Sequence, residues 1–321
     1  MLRIVQLSTA EYVRDVLPHS AAMWAGDRSF ADYAADFGAV SASGFGRRRF
    51  RTLGLMLDGE LVTSCKRYQR ELRCGERTFR AVGIGAVFTP EAERGRGYAT
   101  AFLGALLDTE RANGTDFVYL FSDIHPAFYE RLGFVQLPSR AILLRADALP
   151  HARIAGRTLV DADWPAIERC FGTLDATRAF ALTRPPLVWE WLRLRARSAE
   201  AAGVLVRLGI GRGRRLAAYV LGRRFPAVDS FALDEFAYVD GEAAALVPAL
   251  IRNAAGDLRR ITGWVPPAPA RAVVPRGAVR SRKTSVAMML PLSAGARTAW
   301  ERSGDGVAGA AADPYWNADH V

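Results

Sequence analysis

The chain is short of the residues that build metal sites and disulfide frameworks. Among 321 residues, three are cysteine (Cys65, Cys74 and Cys170) and four are histidine. Three scattered thiols give neither a bridged scaffold nor a ligand spacing, so no metal is expected. Lysine is nearly missing as well: Lys66 and Lys283 are the two in the chain, so almost all of the 43 basic residues are arginine. No run of about 18 consecutive apolar residues occurs, which argues against a membrane span and a membrane partner. The start, Met1-Leu2-Arg3-Ile4-Val5-Gln6-Leu7, lacks the basic-then-apolar pattern of a secretory leader and resembles a strand; cytoplasmic location is the default expectation.

Half of the residues are hydrophobic, enough for sizeable cores, and the length is about twice that of a usual domain, so two domains are expected. The net charge of +10 points to an anionic partner. Arginine and alanine run high together, as a genome-wide codon bias would produce, and no nucleic-acid-binding motif is visible, so nucleic acid is not expected as a partner. The expected assembly is a monomer or homodimer.

Along the first half, Leu2 to Leu7 predicts a strand, Thr9 caps a helix over 10–24, a second helix covers 29–38, and the glycine- and arginine-rich stretch 39–49 predicts a loop. Asp58-Gly59 between Phe50–Leu57 and Glu60–Tyr68 predicts a hairpin, since both turn positions need positive φ. Phe79 to Phe88 is almost continuously small and apolar, as a strand buried on both faces would be. The loop Glu91–Arg96 and a helix over 97–113 follow, with Tyr98, Ala99, Phe102, Leu103, Leu106 and Leu107 on one face. Phe117–Phe121 predicts a strand, Pro126–Leu132 a short helix, and Phe134–Leu137 and Ala141–Arg145 closing strands, placing a domain end near Pro150. In 151–321, helices are predicted over 161–173, 185–197 and 242–255, with strands over 204–209, 216–222, 231–239, 260–265 and 284–292. This order of hairpin, strand, helix and strand repeats that of the first half.

A buried strand, a glycine-arginine loop and a helix start make a phosphate site. Unpaired N–H groups and a partial positive charge mark the first turn of a helix. Gly95 and Gly97 allow close backbone approach, and Arg94 and Arg96 add charge. A solvated turn competes with this reading of the loop alone. Two motifs together carry more: Arg94-Gly95-Arg96-Gly97-Tyr98-Ala99 after the buried strand, and Tyr129-Glu130-Arg131-Leu132-Gly133-Phe134 some thirty residues on.

With that spacing, residues 1–145 resemble the GNAT superfamily of acyl-CoA N-acyltransferases. The resemblance implies an α+β GNAT fold over 1–150, a mixed, mostly antiparallel sheet with flanking helices, followed by a second, degenerate GNAT-like unit over 151–321. It implies acetyl-CoA, or a related acyl-CoA, as co-substrate and no metal. Val87, Phe88 and Thr89 would pair with the pantetheine arm, an N–H near Val87 serving as oxyanion donor. Arg94, Gly95, Arg96, Gly97, Tyr98, Ala99 and Thr100 would hold the pyrophosphate, with Ser122 and Phe128 as further cofactor contacts. Ser122 departs from the asparagine frequent in the family, which weakens one contact. Tyr129 would protonate the leaving thiolate, a role that competes with plain aromatic packing beside Phe128 and Phe134.

The glutamate that many members carry on the fourth strand has no equivalent between Ala81 and Phe88. Candidate bases are therefore Asp123, His125 and the end of the chain, Tyr315-Trp316-Asn317-Ala318-Asp319-His320-Val321, which is similar to Eis-type members in which the terminal carboxylate enters the cleft; here that is Val321, with Asp319 or His320 beside it. Local roles are equally open: a capping Asp123, a loop-packing His125, a segment held for packing alone.

The second unit lacks a phosphate loop, because Asp240 and Glu242 in Tyr238-Val239-Asp240-Gly241-Glu242-Ala243 would repel a pyrophosphate; it is expected to close the acceptor site. Gly209-Ile210-Gly211-Arg212-Gly213 lies between strands and predicts a hairpin turn over Gly211–Arg215, not a nucleotide loop; Trp189, Trp191 and Trp264 predict core.

The expected reaction is transfer of an acetyl group to an amine of a small-molecule acceptor, such as an amino acid, polyamine or aminoglycoside. The Ser-Asp before the tyrosine motif, similar to fungal lysine acetyltransferases, favours a free amino acid or another small polyamine-like acceptor. An O-acyltransferase, a decarboxylase on the same fold and a non-catalytic acyl-CoA sensor are the alternatives.

Overall fold

The computed structural model describes residues 2–26, 28–152, 154–212, 215–307 and 313–321. Its first half runs β1 (Leu2–Leu7), α1 (Thr9–Asp15), α2 (Leu17–Trp24), α3 (Phe30–Ala42), α4 (Gly44–Arg49), β2 (Phe50–Leu57), β3 (Glu60–Cys74), β4 (Arg77–Phe88), α5 (Tyr98–Ala112), β5 (Phe117–Ser122), α6 (Ala127–Glu130), β6 (Val135–Gln136) and β7 (Arg140–Arg145). The second runs β8 (Arg157–Thr158), α7 (Trp164–Asp175), β9 (Phe180–Leu182), α8 (Pro186–Ala201), β10 (Leu205–Arg212), β11 (Arg215–Phe225), β12 (Ser230–Tyr238), α9 (Gly241–Ala255), β13 (Arg260–Trp264), β14 (Val279–Ser281), β15 (Val286–Pro291) and α10 (Ala294–Val307). Among the described residues no helix is long and apolar enough to cross a membrane.

Local chemistry explains several departures from the sequence reading. Ser8, not Thr9, caps the first helix: its hydroxyl accepts from the Glu11 N–H while Glu11 accepts from the Ser8 N–H, a capping box. The single helix predicted over 10–24 is two, α1 and α2, with Pro18 in the first turn of α2, where a missing N–H costs nothing. The predicted loop 39–49 is the end of α3 and all of α4, capped by Ser43, whose hydroxyl accepts from the Gly46 N–H. The Asp58-Gly59 hairpin forms with φ of 50° and 95°. β3 runs six residues past its predicted end at Tyr68, because a second turn, with Gly75 at φ 61°, joins it to β4. Two residues of the predicted Gly211–Arg215 turn, Gly213 and Arg214, lie outside the described residues.

Among the described residues the first sheet orders its strands β1-β2-β3-β4-β5-β15-β6, with β9 beside the end of β3, and the second orders them β14-β7-β13-β12-β11-β10-β8. β4 and β5 pair in parallel across α5, and β12 and β13 pair in parallel across α9; the other pairs are antiparallel. The second unit thus repeats the topology of the first. Three strands cross over, however: the short β9, which pairs with β3, and two longer ones. Arg140–Arg145, predicted to close the first unit, pairs with β13 and β14 in the second sheet, and Val286–Pro291, predicted as the last strand of the second unit, pairs with β5 and β6 in the first. Both strands lie on the opposite side of Pro150 from their sheet, because the apolar alternation that marks a strand does not say which neighbour it meets.

The first sheet is covered on both faces. Phe102, Leu103, Leu106 and Leu107 of α5 pack on Val82, Ile84, Val118 and Leu120 on one face. Each such side chain contributes about 1.5–3 kcal/mol by leaving water. The other face carries Leu72, Phe79, Ala81, Tyr119 and Phe121, closed over by Tyr315 and Ala296.

Candidate active site

α5 begins without a side-chain cap. Its N-cap Gly97 lies at φ 80°, ψ 0°, and Gly95 at φ 77°, conformations that any L side chain would strain. Nothing lies within 4 Å of where a Cβ would be at either glycine, so the loop backbone stands open. Arg94, Gly95, Arg96, Gly97 and Thr100 are exposed, and Tyr98 and Ala99 half-buried. Arg94 Nε donates to the Thr89 carbonyl at 3.1 Å, and Arg96 meets Glu93 at 3.3 Å. An exposed, uncapped helix start with two adjacent guanidinium groups fits a pyrophosphate. In the second unit the equivalent helix is closed: the Asp240 carboxylate accepts from the Ala243 N–H at 2.8 Å, occupying the position an anion would take.

Beside this loop the sheet opens. β4 and β5 pair from Ala81↔Phe117 to Ile84↔Leu120, and beyond Ile84 the β5-facing edge of β4 has no ladder partner among the described residues. A bulge at the same point shifts the register on β3 from Lys66↔Gly85 to Ser64↔Phe88, and Ala86 sits at φ 47°. A non-glycine residue held in the left-handed region is strain of the kind that turns a strand edge toward a ligand. Val87 and Thr89 are half-buried here and Phe88 is buried; Thr63 Oγ1 donates to the Phe88 carbonyl at 2.9 Å. The ring of Tyr129 packs edge-on to Phe128 and Phe134, at centroid distances of 4.9 and 6.0 Å, while its hydroxyl makes no hydrogen bond among the described residues. Burial pushes this phenol up to about 12. Ser122 is buried, and its hydroxyl donates to the Ile124 carbonyl at 2.9 Å.

On the opposite face Val321 lies against Gly85: a Cβ at Gly85 would come within 2.9 Å of the Val321 backbone carbonyl carbon and 3.0 Å of its oxygen. Only a residue without a side chain allows this approach. The segment 313–321 is held by buried groups. Arg178 donates to the Pro314 carbonyl, Arg195 to the carbonyls of Ala318 and His320, and Arg184 and Arg70 meet Asp319 at 3.1 and 3.6 Å. Tyr315 stacks on Tyr119 and Trp316 meets Phe236 edge-on, so the segment touches both sheets.

The candidate bases therefore separate. Asp319 is spent on ion pairs; burial opposes its ionisation, yet Arg184, Arg70 and Arg178 together hold its carboxyl below the ordinary range. Asp123 is exposed and accepts from the Ser285 N–H and hydroxyl at 2.9 and 3.0 Å. His125 is exposed, and its Nδ1 accepts from the Ala127 N–H at 3.3 Å, a local cap. His320 sits edge-on to Phe121 and Trp264, and burial, then Arg195, depresses it to about 4.

A histidine whose folded value lies below its unfolded value near 6.5 contributes stability that is complete above 6.5 and is lost as pH falls toward 4. Urea denaturation is expected to show an unfolding free energy about 1–2 kcal/mol lower at pH 5 than at pH 7. In His320→Phe that difference shrinks; an equal slope in both proteins would assign it elsewhere.

The residue that sequence reasoning passed over is Lys66. Directly opposite Gly85 on β3, it shares the Val321 face with Tyr68 and Arg70. It opens onto a cavity of about 850 Å³ between α2, α3, α8 and the β10–β11 hairpin, with Tyr68 and Trp191 also in its wall. Trp189 is buried in the core as predicted; Trp191 is buried but also faces the cavity, and Trp264 is half-buried beside His320. The one signal for Lys66 was its rarity in a chain that uses arginine almost throughout.

A parallel strand pair that splays beside an open, glycine-lined helix start is the arrangement of a GNAT-type fold. Residues 5–136 are such a domain: they match the family described as acetyltransferase (GNAT) domain. The whole chain has the two-domain form of that fold. It superposes on a conserved protein of unknown function from Enterococcus faecalis V583, a probable N-acyltransferase, with TM-score 0.72 and 14% identity over 91% of this chain and 73% of that one. Eis1 from Mycobacterium abscessus gives 0.59 and 17% over 91% and 74%. A tandem GNAT protein from the clavulanic acid biosynthesis pathway gives 0.56 and 13% over 91% and 99%. No curated protein matches the chain in sequence.

Proposed function

We propose that the protein is an N-acetyltransferase that moves the acetyl group of acetyl-CoA to an amine of a small-molecule acceptor. The observation that carries this is the opening of β4 from β5 past Ile84, which lies between the uncapped start of α5 and the face bearing Val321. The amides of Gly95 to Ala99 hold the pyrophosphate, and Arg94 and Arg96 neutralise it. Val87, Phe88 and Thr89 pair with the pantetheine arm, and the N–H near Val87 donates to the thioester oxygen as charge develops there. The amine nitrogen attacks the carbonyl carbon from the Val321 side; the C–N bond forms, the C–S bond breaks, and Tyr129 supplies the proton to the leaving sulfur. The amine's proton passes to the Val321 carboxyl, the base we favour over Asp123, which is held by Ser285, and His125, whose contact is a local cap. The second unit, with the segment 313–321, walls the acceptor site.

Charge reversal at both arginines, Arg94→Glu with Arg96→Glu, is expected to weaken CoA binding at least tenfold in calorimetric titration. Unchanged affinity would remove the phosphate site. Turnover is checked by thiol release from acetyl-CoA with a panel of amines; carbon dioxide loss from a malonyl thioester with no amine-dependent release would overturn the reading.

A further inference from the structure

The cavity beside Lys66 carries an excess of positive charge. Four cations, Arg28, Lys66, Arg195 and Arg223, line it against two carboxylates, Asp32 and Asp36. Arg28 is neutralised by Asp36 at 3.0 Å and Arg223 by Asp234 at 2.8 Å. Arg195 is engaged with the carbonyl oxygens of Ala318 and His320. Asp32 stands exposed at the rim and accepts from the Ser29 hydroxyl at 2.6 Å.

That leaves Lys66. Among the described residues its ammonium makes no hydrogen bond and no ion pair. Three rings surround it instead, Phe37, Tyr12 and Tyr33, with centroids 5.3, 5.6 and 5.8 Å from Nζ. Ring faces steady a cation but do not satisfy its three N–H donors. Burial, then Arg28, lowers the ammonium to about 8, so it remains mostly charged at neutral pH. Tyr68 links this charge to the reacting centre: it lines the cavity and also lies 3.3 Å from the Cβ position of Gly85, where the Val321 backbone carbonyl rests.

An unpaired, partly desolvated ammonium attracts an anion and repels a second cation, and each effect is stronger here than in bulk water. We propose that Lys66 selects the acceptor: it receives the carboxylate of an amino-carboxylate whose apolar body lies among the rings of the cavity, and it turns polycations away. This rests on the acyltransferase reading of the same site and narrows its acceptor class. Within it, polyamines and aminoglycosides are excluded, because each brings several positive charges to a wall that already holds an uncompensated one.

The test uses the full chain, acetyl-CoA and acceptors paired to differ in the carboxylate: L-phenylalanine with phenethylamine, L-lysine with cadaverine, L-ornithine with putrescine, and kanamycin as a polycation. The wild type is expected to favour the carboxylate member of at least one pair tenfold or more in kcat/KM, mainly through KM, and to use kanamycin least. In Lys66→Met that ratio falls toward one; Lys66→Arg, which keeps the charge, restores part of it. Equal or better use of the decarboxylated amines or kanamycin, or an unchanged ratio in Lys66→Met, overturns the inference and leaves acyl transfer standing. Should no amine raise thiol release above the acceptor-free rate, the acyltransferase reading itself falls. If Lys66→Met does not fold, the wild-type pairs and Lys66→Arg still decide.

Discussion

Asp319→Asn is expected to lower the unfolding free energy by about 3–5 kcal/mol, read from urea denaturation at pH 7. The side chains involved are almost entirely sealed from water: Arg70 is 0% exposed, Arg184 1%, Glu235 1% and Asp319 2%. Arg184 retains Glu235 at 2.7 Å when Asp319 loses its charge, but Arg70 has no second carboxylate among the described residues. Among the described residues none of the three guanidinium nitrogens of Arg70 has a hydrogen-bond partner, so the Asp319 charge is what compensates it. Taking away one member of a buried pair leaves the other desolvated, and that residual cost, rather than the worth of the pair, sets the size of the effect. Arg70→Met combined with Asp319→Asn should therefore recover much of the loss. A loss below 1 kcal/mol in the single variant would mean that water reaches Arg70. Because Asp319 roots the segment that lies on Gly85, turnover is expected to fall in the single variant even where it remains folded.

Tyr129→Phe is expected to reduce kcat about 100-fold while leaving CoA affinity and melting temperature nearly unchanged. The ring is retained in its contacts with Phe128 and Phe134, and among the described residues the hydroxyl has no hydrogen bond to lose. General acid catalysis contributes roughly 10²–10⁴-fold, and the value of about 12 for this phenol decides where in that range the effect falls. Against a thiol of ordinary pKa near 8.5, complete proton transfer runs uphill by roughly 3–4 units, on the order of 5 kcal/mol, so the lower end applies. The same value keeps the acid loaded across the working range, and Tyr129 introduces no loss of rate on the alkaline side below about pH 11. A loss of kcat under threefold would reduce Tyr129 to a packing residue.

Much of the proposed cofactor side was legible because it is local. The Arg94–Ala99 loop, the helix behind it and the Tyr129–Phe134 turn are contiguous segments, and Gly95, Gly97 and Gly133 within them take positive φ. The proposed acceptor side is made of contacts far apart in the chain. Lys66 stands opposite Gly85, Gly85 receives Val321, and Asp319 meets Arg70 and Arg184. Nothing in the spacing of these residues announces their meeting. The exchange of β7 and β15 between sheets was hidden for the same reason.

By itself, then, the sequence determined the elements whose hydrogen bonds close within a few residues: the Asp58-Gly59 hairpin, the buried strand ahead of the phosphate loop, and the open start of α5. Tertiary structure alone decided which strands share a sheet, where the two sheets face a common cavity, and which charges are left without a partner. The physical reason is that a turn or helix start is specified by φ, ψ and a neighbouring donor or acceptor. Burial and charge compensation are instead properties of the assembled surroundings, and Lys66 and Asp319 acquire theirs only when the distant strands and the segment ending at Val321 come together.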